Sequence, residues 1–172
     1  MLPFYNFAKV LLYVRELEQK IPVFLELHPS NQCNHRCIWC RYKRDSSMLS
    51  SEFMLGVLKQ YPWIKAIRIS GGGEPLANPQ TAGFIEACGQ LGVNVGVETN
   101  GALLDQHTIY VIGNNARYCR ISLDAATPET YAELHGSNAF NHILANIRSL
   151  REAGLAELGI SYLVTRHNVE EI

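Results

Sequence analysis

Three cysteines lie within eight positions, in Gln32-Cys33-Asn34-His35-Arg36-Cys37-Ile38-Trp39-Cys40, a C-x3-C-x2-C pattern. Thiolates are soft ligands, and three on one loop can wrap one corner of a compact metal cluster. A 4Fe–4S cube normally takes four cysteines, so three leave one iron with an open coordination position for a substrate or cofactor. The same loop also admits a structural zinc held by Cys33, Cys37, Cys40 and His35. Closed zinc sites usually draw four ligands as two spaced pairs. The other two cysteines, Cys88 and Cys119, stand alone in a helical and a strand pattern and read as small core residues. An odd cysteine count without a secretory leader argues against a disulfide framework and for metal in a reducing compartment.

The strands that must carry such a loop show a second chemical signal. Glu26 and His28 share one face of their strand, and Leu25 and Leu27 the other. Arg68 and Ser70 oppose Ile67 and Ile69. Gly96 and Glu98 oppose Val95 and Val97. Arg120, Ser122 and Asp124 share a face, as do Ser161 and Thr165. A parallel sheet covered on both sides reads as continuous apolar runs. These strands instead predict one apolar face for helices and one polar face holding acids and bases together, and buried charges need partners or a polar ligand. The economical arrangement is a curved sheet with helices outside and a polar concave lumen. An antiparallel sheet with one wet face is the alternative.

The element pattern sets the fold class. Strands are expected over residues 23–28, 64–70, 93–98, 118–124 and 158–165. Helices are expected from Ser50 or Ser51, over 81–91 and 106–112, from Thr127-Pro128, and over 140–153. Thr127 is a natural N-cap with proline at the first helical position. A further helix over 7–20 precedes the first strand and is read as packing on the barrel. Another begins at Asn168. Strand–helix alternation in units of about thirty residues implies an α/β fold with a parallel sheet. An eight-unit barrel takes about 250 residues, so 172 residues predict a partial barrel or a doubly wound sheet.

Composition narrows the function classes. Hydrophobic residues make up 47% and charged residues 18%, which is globular usage. The formal net charge of -1 gives no global basic field for a nucleic-acid backbone. No apolar run is long enough to span a bilayer. The first residues lack a basic leader and a small-residue cleavage site, so the expected location is cytoplasmic.

At the cysteine loop the sequence resembles the radical S-adenosylmethionine (SAM) superfamily, which uses C-x3-C-x-aromatic-C after its first strand, with Trp39 at the aromatic position. The resemblance continues in order along the chain. Ser70-Gly71-Gly72-Gly73-Glu74-Pro75 is similar to the family's Gly-Gly-Glu-Pro segment, and Glu98-Thr99-Asn100-Gly101 to its Thr-Asn-Gly segment. The stretch from Ile121 to Tyr131 resembles the fourth-strand region of members that carry SPASM- or Twitch-type C-terminal extensions. Leu163-Val164-Thr165 with Asn168 is similar to the fifth strand and its turn. The match covers residues 21–172, read as the core domain, with 1–20 as an N-terminal helix.

The resemblance implies a partial (β/α)6 TIM-type barrel, of which about five βα units are present here. It implies a 4Fe–4S cluster on Cys33, Cys37 and Cys40, and SAM as second cofactor. Chemistry would be reductive cleavage of SAM to a 5′-deoxyadenosyl radical and hydrogen abstraction from a substrate, the cofactor carrying the reaction and the protein supplying orientation and exclusion of water. By resemblance Trp39 and Val164 contact the adenine, and Gly72, Gly73, Glu74 and Pro75 hold the methionine amino group. Glu98, Thr99, Asn100 and Ser122 make polar contacts to SAM, and Asp124 faces SAM or substrate, or pairs with Arg120. A reductant such as flavodoxin or ferredoxin is the implied partner, and the substrate leans towards peptide or natural-product maturation. Two departures stand out. The family's sixth strand, and any C-terminal domain that closes the lumen, have no counterpart here, which leaves open a fragment, a partner chain that completes the barrel, or a minimal protein. His135-Gly136 stands where many relatives have Arg-Gly. Beside the enzyme reading stand a cluster- and SAM-binding half inactive without a partner, and a zinc-stabilised binding module.

Overall fold

The computed structural model describes residues 23–172. Five strands, β1 (Val23–Leu27), β2 (Ile64–Ile69), β3 (Asn94–Thr99), β4 (Ala116–Ser122) and β5 (Glu157–Ser161), form one sheet in the order β1-β2-β3-β4-β5. Every neighbouring pair is parallel. The antiparallel alternative is therefore overturned, and the α/β partial-barrel expectation holds. Helices α1 (Ser51–Gln60), α2 (Thr81–Gln90), α3 (Gln106–Asn115), α4 (Pro128–His135) and α5 (Phe140–Glu152) connect the strands. The helix expected over 7–20 lies outside the described residues.

Local signals start these helices where side chains can satisfy their first N–H groups. Ser50 Oγ accepts the Phe53 N–H at 3.1 Å. Asp105 Oδ1 accepts the Thr108 N–H at 2.7 Å. Thr127 Oγ1 accepts the Thr130 N–H at 3.2 Å, and Pro128 fills the first turn of α4. α4 ends at Gly136, in the left-handed region at φ 61°.

The two faces of the sheet follow the strand alternation. Leu25, Leu27, Ile67, Ile69, Val95, Val97, Cys119 and Ile121 are buried on the outer face, against Met54, Phe84, Ile85, Ile112, Ile143 and Leu150. On the other face, pairing places Glu26 opposite Arg68, and Glu98 opposite Arg120. Arg68 Nη2 lies 2.6 Å from Glu26 Oε2, and Arg120 Nη1 lies 3.3 Å from Glu98 Oε1. Each guanidinium also sits 5.8 Å from an aromatic ring centre, Arg68 over Phe24 and Arg120 over Tyr118. The polar face thus neutralises its own charges in cross-strand pairs.

The boundaries differ from the sequence expectation in instructive places. β4 stops at Ser122, because Asp124 takes φ 55° and leaves the extended region. β5 stops at Ser161, because the Leu163 N–H donates to Asp124 Oδ1 and the Thr165 N–H to Asn168 Oδ1. α3 runs on to Asn115, past the expected end at 112. The helix expected from Asn168 is a single 3-10 turn, Val169–Glu171.

Candidate metal and cofactor site

The loops at the C-terminal ends of the strands meet at the cysteine segment. Barrel enzymes place their chemistry at this end of the sheet. Cys33 and Cys37 are half-buried and Cys40 is exposed, all three as free thiols. The Arg36 N–H donates to His135 O at 2.9 Å and the Ile38 N–H to Leu134 O at 3.0 Å, which fastens the loop to the end of α4. Gly136 allows this approach, since a Cβ there would lie 3.1 Å from Arg36 O. On the opposite flank the Glu74 N–H donates to Gln32 O at 2.6 Å, and Asn100 Nδ2 to Asn34 Oδ1 at 2.7 Å. At Gly73 a Cβ would fall closer than 3.0 Å to the carbonyl oxygens of Ser30 and Gln32. That backbone contact is open only to glycine.

Glu74 organises the turns after β2 and β3. Its carboxylate is buried, at 3% exposure for the residue. Oε1 accepts from the Leu76 N–H at 3.1 Å and from Thr99 Oγ1 at 2.5 Å, and Oε2 accepts from the Asn100 N–H at 2.8 Å. Burial pushes its carboxyl above the ordinary range, while the three donors pull it back. Asn100 Oδ1 in turn accepts the Ala102 N–H at 3.0 Å. The side chains of Glu74, Thr99 and Asn100 are therefore engaged in holding the turns together.

A second buried group lies beneath the cysteines. His135 Nδ1 is 3.2 Å from Cys37 Sγ. Its Nε2 is 3.1 Å from Leu123 O and 3.3 Å from Asp124 Oδ2. The ring stacks on Tyr131 at 4.3 Å between centres, and Trp39 meets it edge-on at 5.4 Å. Asp124 Oδ1 accepts the Leu163 N–H at 2.5 Å, and Asn168 Nδ2 donates to Asp124 O at 2.7 Å. Asp124 is 5% exposed. Its partner is His135, and Arg120 pairs with Glu98 instead. The left-handed turn at Asp124 ends the strand alternation that would have aimed it with Arg120 and Ser122.

His35 does not join the cysteines through its Nε2, which lies 2.9 Å from the Tyr131 hydroxyl. Burial, with smaller contributions from His135 and Arg44, lowers its pKa to about 4. Among the described residues no three His, Cys, Asp or Glu side chains come together as ligands of a single ion. Cys88 and Cys119 are fully buried in α2 and β4. Burial pushes the Cys37 thiol up to about 11 and raises Cys33 as well, so binding a metal there displaces protons.

The remaining expected residues are distributed around this centre. Trp39, Glu98 and Ser122 are half-buried, Gly72 and Gly73 likewise, and Pro75 is buried at the start of a 3-10 turn. Val164 is 53% exposed. A cleft of about 590 Å³ opens beside the loop, lined by Cys33, Asn34, Arg36, Arg44 and Leu103 among others. Sequence reasoning missed Tyr131, Asn34 and the tie from His135 to Cys37. Only the unusual His135-Gly136 pair could have pointed there.

Residues 27–172 match the Radical SAM superfamily. The chain belongs to that superfamily. It is 28% identical over 156 residues to the mycofactocin maturase MftC of Mycobacterium ulcerans, covering 88% of this chain and 42% of the maturase. It is 29% identical over 155 residues to a probable GTP 3′,8-cyclase of Saccharolobus solfataricus, covering 86% of this chain and 49% of the cyclase. The chain thus spans about half the length of these curated relatives, or less. Among solved structures, Streptococcus suis SuiB bound to its precursor peptide SuiA superposes with a TM-score of 0.73 at 18% identity, covering 96% of this chain and 38% of that one. anSMEcpe with bound AdoMet and a peptide gives a TM-score of 0.68 at 21% identity, covering 81% and 42%. These two likenesses bear on the fold.

The cofactors of this radical SAM core are a 4Fe–4S cluster and SAM. The residues present fit them. Three free thiols share one loop, and the remaining cysteines are sealed in the core, so Cys33, Cys37 and Cys40 would hold the cluster and one iron would stay open.

Proposed function

We propose that this chain is the core of a radical SAM enzyme that binds its cluster through Cys33, Cys37 and Cys40. The observation that carries the reading is the three-thiol loop clamped at the mouth of a polar sheet face by the ends of β2, β3 and α4. When bound, the reduced cluster supplies the electron that splits SAM into methionine and a 5′-deoxyadenosyl radical, which takes a hydrogen atom from the substrate.

The protein's part is to hold, orient and exclude. Gly72 and Gly73, with the backbone of Glu74 and Pro75, line the place for the methionine amino group, while the Glu74 carboxylate fixes the turn from behind. Thr99 and Asn100 serve the same turn. Trp39 and Val164 offer the apolar surfaces for the adenine. Glu98 and Ser122 reach from the polar sheet face. Asp124, held by His135 and the Leu163 N–H, faces SAM or substrate. Residues 21–172 make up this core unit.

The substrate class we favour is a peptide. SuiB and anSMEcpe share this fold with a peptide bound, and one relative is a maturase. A one-electron reductant of the flavodoxin or ferredoxin type completes the partners. The five free thiols suit a reducing, cytoplasmic setting. Among the described residues no helix is long and apolar enough to cross a membrane.

Anaerobic reconstitution with iron and sulfide, followed by addition of dithionite and SAM, tests the reading. A brown protein that bleaches on reduction and releases 5′-deoxyadenosine supports it. Zinc without inorganic sulfide would refute it. Comparing 5′-deoxyadenosine release with a candidate precursor peptide and with GTP tests the substrate class, and stimulation by GTP alone would remove the peptide assignment.

A further inference from the structure

Among the described residues, a neighbouring backbone amide, the His35 N–H, lies 3.5 Å from Cys33 Sγ. A side-chain atom, His135 Nδ1, lies 3.2 Å from Cys37 Sγ. The His135 ring is 2% exposed and has little freedom. Tyr131 stacks on one face at an interplanar angle of 19°, and Trp39 and His35 meet it edge-on. Leu123 O and Asp124 Oδ2 both stand before Nε2, so that nitrogen carries a proton. These contacts fix the direction of Nδ1 towards Cys37. A cysteine sulfur that ligates iron has no proton to give, so both ring nitrogens then face acceptors, and the contact is an N–H···S hydrogen bond from a doubly protonated ring whose Nε2–H meets Leu123 O and the Asp124 carboxylate.

We propose that His135 is a positioning residue for the cluster, hydrogen-bonding the Cys37 sulfur through Nδ1 and making the cluster easier to reduce. Hydrogen bonds to ligating sulfurs are among the determinants of cluster potential, and groups behind a ligand tune the metal it holds. The bond draws electron density from the thiolate and so favours the form that has gained an electron. His135 also joins Cys37 to Asp124 and, through Asp124 Oδ1, to the Leu163 N–H, next to Val164. The cluster loop and the segment after β5 are therefore joined through two buried side chains in series, His135 and Asp124. This inference rests on the cluster reading given above.

The test is an electron-paramagnetic-resonance redox titration of the reconstituted protein and two variants. His135→Gln places an amide near the Nε2 position, keeps a donor for Leu123 O and Asp124, and leaves Cys37 without one. His135→Asn places an amide near the Nδ1 position and keeps the donor to sulfur. The expected result for His135→Gln is a fall in the reduced-to-oxidised ratio at fixed potential on the order of tenfold, about 59 mV for one electron. His135→Asn should recover most of that shift. Equal potentials in iron-loaded wild type and His135→Gln would overturn the assignment while leaving the function reading intact. A wild-type protein that holds no iron or sulfide would overturn both. A measurement on the wild type alone guards against a variant that fails to fold. Pulsed resonance of protein labelled with ¹⁵N-histidine should show a weak nitrogen coupling and an exchangeable proton at the reduced cluster, and absence of both would overturn the proposal.

Discussion

The backbone N–H of Asn100 donates to Glu74 Oε2 at 2.8 Å, so one buried carboxylate ties the turn after β3 to the turn after β2. The backbone N–H of Glu74 itself reaches Gln32 O, which brings in the cysteine loop. Three loops that are far apart in sequence thereby share one anchor. The arrangement explains why an acid sits in a position where burial opposes its charge. An acceptor-only group with two oxygens can take all three donors that converge there.

Glu74→Gln should therefore destabilise the protein although it keeps size and shape. One oxygen becomes an NH2 and faces another donor, leaving a buried N–H unpaired. That costs about 1–3 kcal/mol, or a fall in Tm of roughly 2–10 °C for a domain of this size. Thermal unfolding followed by circular dichroism checks it. An unchanged Tm would mean the three donors have other acceptors.

Two glycine-to-alanine changes should move in opposite directions. At Gly73 a Cβ would press on the backbone of the cysteine loop, at Ser30 and Gln32. The loop must shift, and reconstituted iron content should drop well below wild type. Gly83 lies inside α2 with nothing within 4 Å of its Cβ position. There alanine restricts the unfolded chain and improves helix propensity, raising stability by about 0.5–1 kcal/mol. Equal iron content in the two variants would argue against the contact at Gly73.

The strand–helix rhythm and the polar sheet face were legible because they depend on local periodicity. Glu26, Arg68, Glu98 and Arg120 alternate with isoleucine, leucine and valine, and the sheet register makes them partners. The cysteine spacing was legible for the same reason. Asp124 was not. Its left-handed backbone ends β4 and aims the carboxylate at His135, and neither event leaves a pattern in neighbouring residues. The ends of β5 were hidden likewise, because Asp124 and Asn168 take the N–H groups that would have continued the strand.

The Glu26–Arg68 pair should give stability a dependence on acid. Partial burial would raise the Glu26 carboxyl, but hydrogen bonds from Arg68, His28 and Ser70 outweigh it and lower its pKa to about 2 from 4.5. A carboxyl lowered in the folded state stabilises the fold above its unfolded value, and that contribution fades as pH falls from about 4.5 towards 2. The Glu26 side chain is 42% exposed, so screening holds the effect to about 1 kcal/mol or less. Denaturant unfolding should show Glu26→Gln less stable than wild type near neutral pH and the gap closing in acid. A gap that persists undiminished at about pH 2 would contradict the pairing.

Cysteine substitutions separate ligands from core residues. Cys37 sits on the anchored loop, half-buried, with His135 behind it. Removing its sulfur leaves two thiols, too few to hold a cube with one open iron. Cys37→Ala should abolish iron retention after reconstitution and desalting, with the helical signal largely kept. Cys88 is fully buried in α2, and that burial pushes its thiol up to about 12. Cys88→Ala should keep the iron and lose only packing, about 1 kcal/mol of stability. Iron and sulfide assays beside a thermal melt distinguish the two. Equal iron loss in both variants would show that the metal depends on the integrity of the fold rather than on the loop's thiols.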